Sequence, residues 1–190
     1  VGNSRDLFYV IGPPGVGKSS LMAALTVRCH RWPNAKPFRY DLLRGPSGYE
    51  FVELGGQRIG GFPGTDGMSM SVQPRVEEWL HQTRVPLVLG EGDRLGNTKF
   101  FEAAVHAGWR LNVVALMADR KELDRRCRER GSEQSETWRK GRFTKVANVT
   151  NWLTTAHPGS VRLVTADRTP GTLVAALRPS YPDIFALLED

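Results

Sequence analysis

Eight consecutive residues carry the first chemistry: Gly12-Pro13-Pro14-Gly15-Val16-Gly17-Lys18-Ser19 fits the spacing G-x-x-x-x-G-K-[ST]. Glycines in such a loop let the backbone curl until successive N–H groups point inward at phosphate oxygens. The helix that must follow adds about half a positive charge at its N-terminus. In this pattern Lys18 reaches the β- and γ-phosphates and the Ser19 hydroxyl helps hold Mg2+. Gly12, Pro13, Pro14, Gly15, Val16, Gly17 and Ser20 complete the cradle. Leu7 to Ile11 reads as a short apolar strand on one side. On the other, Leu21, Met22, Leu25 and Cys29 mark one face of a helix opening at Ser19. A chance match in a Gly-rich chain is the alternative, and the flanking strand and helix argue against it. The pattern is that of an ATP or GTP site.

Phosphoryl transfer also needs a carboxylate to orient an acceptor hydroxyl or take its proton, and the cation needs a further oxygen ligand. Gly90-Glu91-Gly92-Asp93-Arg94 follows the apolar run Val85 to Leu89, and strand ends of open α/β sheets form the ligand crevice. Asp66 lies in the loop Phe62-Pro63-Gly64-Thr65-Asp66-Gly67-Met68-Ser69-Met70. Phe62, Thr65, Met68 and Met70 could wall a planar base there, with turn chemistry and core packing as the alternatives. Positive charge gathers later: residues 119–145 hold ten Lys/Arg and six Asp/Glu, four of the chain's net six positive charges. Arg126 and Arg130 stand four apart on one helical face, and Arg142 follows the loop Ser132 to Glu136. Guanidiniums closing over a γ-phosphoryl group would stabilise its spreading charge; pairing with Glu129, Glu133 or Glu136 is the alternative for each.

The elements that must place these groups alternate. Pro33 and Pro37 bound a loop after the first helix, Phe38 to Leu42 is the second strand, and Gly45-Pro46-Ser47-Gly48 is a turn. Phe51 to Leu54 and Gln57 to Ile59 flank Gly55-Gly56 as a β-hairpin. A helix opens near Pro74 with Val76, Trp79 and Leu80 inward. Asn97 caps another with Phe100, Phe101, Ala104 and Val105 inward, ended by Gly108. Leu111 to Met117 is a core strand. Asp119 and Glu122 form a capping box on a helix running to Gly131. A helix at about Thr144 to Thr155, a strand at Val161 to Val164 and a terminal helix at Leu173 to Leu177 complete the chain. Helical crossovers between strands imply a mostly parallel sheet covered on both faces: an α/β fold of three layers.

The 190 residues, 40% hydrophobic and 24% charged, suit one domain over 1–190 with an ample core. No apolar run approaches the roughly 18 residues of a membrane helix, and Val1 to Val10 is too short and polar for a signal peptide. Cys29 and Cys127 lack metal-ligand spacing and read as free thiols in a reducing cytoplasm. His30, His81, His106 and His157 show no metal spacing either. Among the tryptophans only Trp138, beside the basic run, is a stacking candidate.

A compact domain with this loop and an Arg-rich segment late in the chain resembles the P-loop nucleoside and nucleotide kinases, and it lacks the Asn-Lys-x-Asp signature of switch GTPases. The resemblance implies ATP, Mg2+, an acceptor-binding insertion at about 40–72 and a lid at about 119–145 carrying Arg126, Arg130 and Arg142. Glu91 to Arg94 is similar to the acid-plus-Arg signature after the third strand, whose Arg grips substrate phosphate. Asp41 occupies a place where related kinases often keep their catalytic acid. The order for that acid is Asp66 and Asp93, then Glu91, then Asp41, and Glu91 is the metal-ligand candidate beside Ser19.

Gly-Phe-Pro-Gly-Thr-Asp and Trp-Arg-Lys-Gly-Arg-Phe-Thr-Lys resemble P-loop kinases of actinobacterial phages and prophages. Some phage P-loop kinases phosphorylate hydroxymethyluracil in DNA. A net charge of +6 suits such a polyanion, and a hairpin bearing Arg44, Tyr49, Phe51 and Arg58 could grip its backbone. A free nucleoside or nucleotide acceptor, or a non-catalytic nucleotide-binding module, are the other readings.

Overall fold

The first strand is apolar on both sides: in β1 (Arg5–Ile11) every residue from Asp6 onward is buried. A strand of that kind belongs at the centre of a sheet with helices on both faces. In a computed structural model, which describes residues 5–57, 63–129, 131 and 135–189, it does so. Seven strands lie in the order β2-β3-β4-β5-β1-β6-β7, with β2 His30–Asn34, β3 Tyr40–Arg44, β4 Glu50–Leu54, β5 Leu87–Glu91, β6 Trp109–Met117 and β7 Val161–Thr165. β4, β5, β1, β6 and β7 are parallel, while β3 runs antiparallel to both β2 and β4. The α/β three-layer P-loop architecture is therefore the observed one.

Alternation along β1 divides the core. Leu7, Tyr9 and Ile11 pack with Val76 and Leu80 of α2 (Gln73–Gln82), Phe100 and Phe101 of α3 (Thr98–His106), and Val149 and Leu153 of α5 (Glu136–Ala156). Phe8 and Val10 pack on the opposite face with Leu21 and Met22 of α1 (Lys18–Leu25) and Leu123 of α4 (Arg120–Glu129). Leu173 and Leu177 of α6 (Pro170–Leu177) and Phe185 of α7 (Pro182–Glu189) complete that side. Among the described residues no helix is long and apolar enough to cross a membrane.

Several boundaries differ from the sequence reading. The stretch between Pro33 and Pro37 is not all loop, because His30–Asn34 forms an edge strand paired with β3. A hairpin turns at 45–48, joining β3 to β4; of the strand expected after Gly55-Gly56, Arg58 and Ile59 lie outside the described residues. Gly55 (φ +76°) lets the chain pass against the Gly64 backbone, where a Cβ would collide. Cys29 lies beyond the end of α1. Glu122 does not complete a capping box; it turns to Arg125 and Arg126, while Asp119 accepts from the Lys121 amide. α5 begins at Glu136, capped by Ser135, so Trp138 to Arg142 is helical rather than loop.

Candidate active site

The C-terminal ends of β1 and β5 lie side by side, Val10 opposite Glu91, and this edge holds the site. Gly17 (φ +100°) turns the loop into α1, whose first two residues are Lys18 and Ser19. The Lys18 ammonium donates to the carbonyls of Gly12 (2.9 Å) and Pro13 (3.4 Å), folded over the loop it serves. The Ser19 hydroxyl donates to Glu91 Oε1 at 2.8 Å.

Glu91 is 3% exposed. Burial pushes its carboxyl up to about 7, with Asp66 and Glu53 adding to the rise and the Lys18 charge and Ser19 hydrogen bond opposing it. The wall that excludes water is the single 3-10 turn Gly64–Gly67: a Cβ on Gly64 would lie 2.5 Å from Glu91 Oε1. Among the described residues no group of three or more His, Cys, Asp or Glu could hold a metal by itself. A hydroxyl and a carboxylate held together are an oxygen-only pair, which suits Mg2+ completed by phosphate oxygens and water. The residues present therefore fit that cation.

The other expected residues fall into distinct places. Asp66 Oδ1 accepts the amides of Asp93 (2.7 Å) and Arg94 (3.0 Å), and Thr65 donates to the Glu91 carbonyl at 2.8 Å. The Asp93 carboxylate lies 3.3 Å from Arg142, and its carbonyl accepts from Lys145 at 2.6 Å. Arg142 also covers the Trp138 ring at 4.7 Å. Arg94 reaches the Asp66 carbonyl (3.4 Å) and touches the Met70 sulfur. Asp41 is buried with Glu53 around Arg31 at 2.5 and 2.7 Å, on the strands next to β5. Arg58, Phe62 and Arg130 lie outside the described residues.

Arg126 is spoken for. Its guanidinium contacts Glu122 (2.7 Å), the Val16 carbonyl of the phosphate loop (3.5 Å) and the Ala166 carbonyl beyond β7 (3.2 Å). Arg125 pairs with Glu122 and Glu129, Arg120 and Lys140 with Glu136, and Arg139 with Asp124. Much of the basic segment is thus neutralised within α4 and α5. The expected nucleic-acid hairpin is also corrected. Phe51 is core, Arg44 pairs with Glu50, and the turn beside Tyr49 sits at the start of β4, the end of the sheet away from the phosphate loop. Met68 is core and Met70 exposed, and Phe62, the third side chain expected around a base, lies outside the described residues.

Tyr9, Arg31, Glu53 and Lys145 escaped the sequence reading. Glu53 had a signal, a lone charge inside the apolar run Phe51 to Leu54. Lys145 shares a helical face with Arg142 once α5 is known to span both. Tyr9 had none, being one apolar strand residue among several.

Loop, helix and neighbouring carboxylate define a protein of the P-loop α/β class. The profile of the family described as P-loop Nucleotide Kinase3 matches residues 3–177, and the chain belongs to that family. No curated protein matches it. A sugar kinase from Janibacter sp. HTCC2649 is similar in fold, with a TM-score of 0.53 at 11% identity over 98% of this chain and 99% of that one. The G domain of the T. maritima FeoB iron transporter aligns over 95% of this chain and 98% of its own, at 15% identity and a TM-score of 0.39.

Proposed function

We propose that the protein transfers the γ-phosphoryl group of ATP to an acceptor hydroxyl, and that the acceptor is hydroxymethyluracil in DNA. The carrying observation is the Ser19–Glu91 hydrogen bond at the mouth of β1 and β5, with Lys18 beside it. Ser19 and Glu91 would hold Mg2+ there, and the cation would supply neutralisation of phosphate charge. Backbone amides of residues 12–18 bind those phosphates, and the Lys18 ammonium leaves its loop carbonyls to share their charge. The acceptor oxygen forms the new P–O bond as ADP departs, and its proton passes to Asp93, the acid at this strand end that does not hold the cation. Arg142, held at Asp93, stands where it could meet phosphate charge.

The DNA acceptor is supported by the two phage-like strings and the net charge of +6. The second reading, a free nucleoside or nucleotide, is favoured by the placement of Arg44 and the Tyr49 turn far from the crevice. Labelled ATP with hydroxymethyluracil DNA in one arm and free nucleosides and nucleotides in the other separates them. Label on DNA supports the first; label only on free nucleotides sinks it. ATP binding without transfer to any acceptor would leave a nucleotide-binding module. Lys18→Ala should lower transfer by about 100-fold or more with the fold retained.

A further inference from the structure

Three side chains outside the phosphate loop converge on the backbone that follows β5. Asp66 Oδ1 takes two adjacent amides, those of Asp93 and Arg94. Thr65 Oγ1 donates to the Glu91 carbonyl at 2.8 Å, and the Tyr9 hydroxyl donates to the Gly92 carbonyl at 2.9 Å. The two hydroxyls also lie 2.9 Å from each other. Each hydroxyl has one proton, so two protons serve three close approaches and one of them is shared. Tyr9 and Thr65 are fully buried, which makes a missing partner costly.

The fit between the two segments is close on both sides. Gly92 has φ +107°, and a Cβ there would lie 3.0 Å from Asp66 Cγ, Asp66 Oδ2 and Thr65 Oγ1. Gly64, two residues before Asp66, leaves the space that the Glu91 carboxylate fills. One short turn therefore holds the backbone at 91, 93 and 94, Tyr9 of β1 holds it at 92, and the same turn walls the Glu91 carboxylate.

We propose that Asp66 is a positioning residue which, with Thr65 and Tyr9, fixes the 91–94 backbone so that the Glu91 carboxylate stays on Ser19 to complete the Mg2+ site. This rests on the reading of Ser19 and Glu91 as cation ligands. It gives Asp66 a role in which the accepting oxygen matters and the negative charge does not. Asn offers the same Oδ1 acceptor without the charge, whereas Ala offers neither.

The test uses the full chain and three readouts: exchange of the Asp93 and Arg94 amides, the Mg2+ concentration giving half-maximal enhancement of ATP binding by calorimetry, and kcat. Asp66→Ala should speed exchange of those two amides and raise the half-maximal Mg2+ by about tenfold. Asp66→Asn should return both quantities, and kcat, to within about threefold of the parent. Should Asp66→Ala not fold, Thr65→Val carries the same Mg2+ readout, with a rise of about threefold. Loss of kcat in Asp66→Asn with the amides still protected would overturn the proposal, because the charge itself would then act at the reacting atoms. Unchanged Mg2+ dependence in Asp66→Ala, or in Thr65→Val, would overturn it as well. A parent protein that binds ATP with Mg2+ but phosphorylates no acceptor defeats the kinase reading alone, since exchange and Mg2+ binding are still measurable.

Discussion

At the scale of single residues, Glu91 shows how a site conflicts with the stability of its fold. A carboxylate enclosed by the Gly64–Gly67 turn, β4 and α1 loses hydration that Lys18 and Ser19 only partly replace. Its folded-state pKa, about 7, stands above the ordinary 4.5. The sign follows: the contribution to stability is fully present below pH 4.5 and is lost as the pH rises through about 7. Between these limits the wild-type chain should lose about 3 kcal/mol from this group alone. Glu91→Gln keeps an oxygen for the Ser19 hydroxyl and removes the ionisation. Urea unfolding at pH 5 and pH 8, without nucleotide, should show the variant gaining on wild type as the pH rises. Parallel pH dependences for the two proteins would contradict the buried-carboxylate account. Phosphoryl transfer by the variant should fall by about tenfold or more, since the Mg2+ ligand has lost its charge.

At the scale of elements, α4 packs against the phosphate loop. Cys127 lies against the Pro14 carbonyl, a Cβ on Gly15 would reach its sulfur at 3.0 Å, and Arg126 bridges the Val16 and Ala166 carbonyls. A guanidinium used this way sets the spacing between the phosphate loop and the segment after β7, so Arg126→Ala should raise KM for ATP by about tenfold and change kcat by less than about threefold. A large fall in kcat at unchanged KM would instead give Arg126 the transition-state role expected from a lid. The β1–loop–α1 unit was legible because strand, glycines, lysine and amphipathic helix occupy one contiguous string. β2 was not: Pro33 reads as a breaker, yet an edge strand tolerates a residue without an N–H. Gly55-Gly56 reads as a turn in sequence, yet glycine both punctuates turns and permits close approach. Only the packing of Gly55 on Gly64 distinguishes these uses. The start of α5 was hidden by its polarity and by Gly141, while the Ser135 cap that begins it is a single hydrogen bond to Trp138. The positioning role of Asp66 was out of reach because it joins residues 27 and 28 positions apart.

At the scale of the whole molecule, the two ends of the sheet have separate duties. The strand ends at Ile11 and Glu91 border the candidate site, whereas α7 closes the other end. Ile184, Phe185 and Leu188 are buried in the core on the α1 side, and Tyr181 meets Phe8 edge-on at 5.3 Å. The Leu187 carbonyl accepts from Ser47 at 3.1 Å, and a Cβ on Gly45 would lie 2.6 Å from it. Asp183 extends the pair of buried Asp6 and exposed Arg110 that anchors the starts of β1 and β6. The three apolar side chains are worth about 1.5–3 kcal/mol each by burial alone. Removing residues 181–190 should therefore cost on the order of 5 kcal/mol, comparable to the whole margin of many domains. The milder Phe185→Ala leaves a cavity instead and should cost about 3–4 kcal/mol. Because the lesion is at the far end of β1, the folded fraction of Phe185→Ala at low temperature should keep the parental KM for ATP. Thermal unfolding and steady-state kinetics on the same preparation decide the matter. A truncated chain melting within about 2 °C of the parent would show that α7 is dispensable, and a raised KM in folded Phe185→Ala would show that the two ends are coupled through β1.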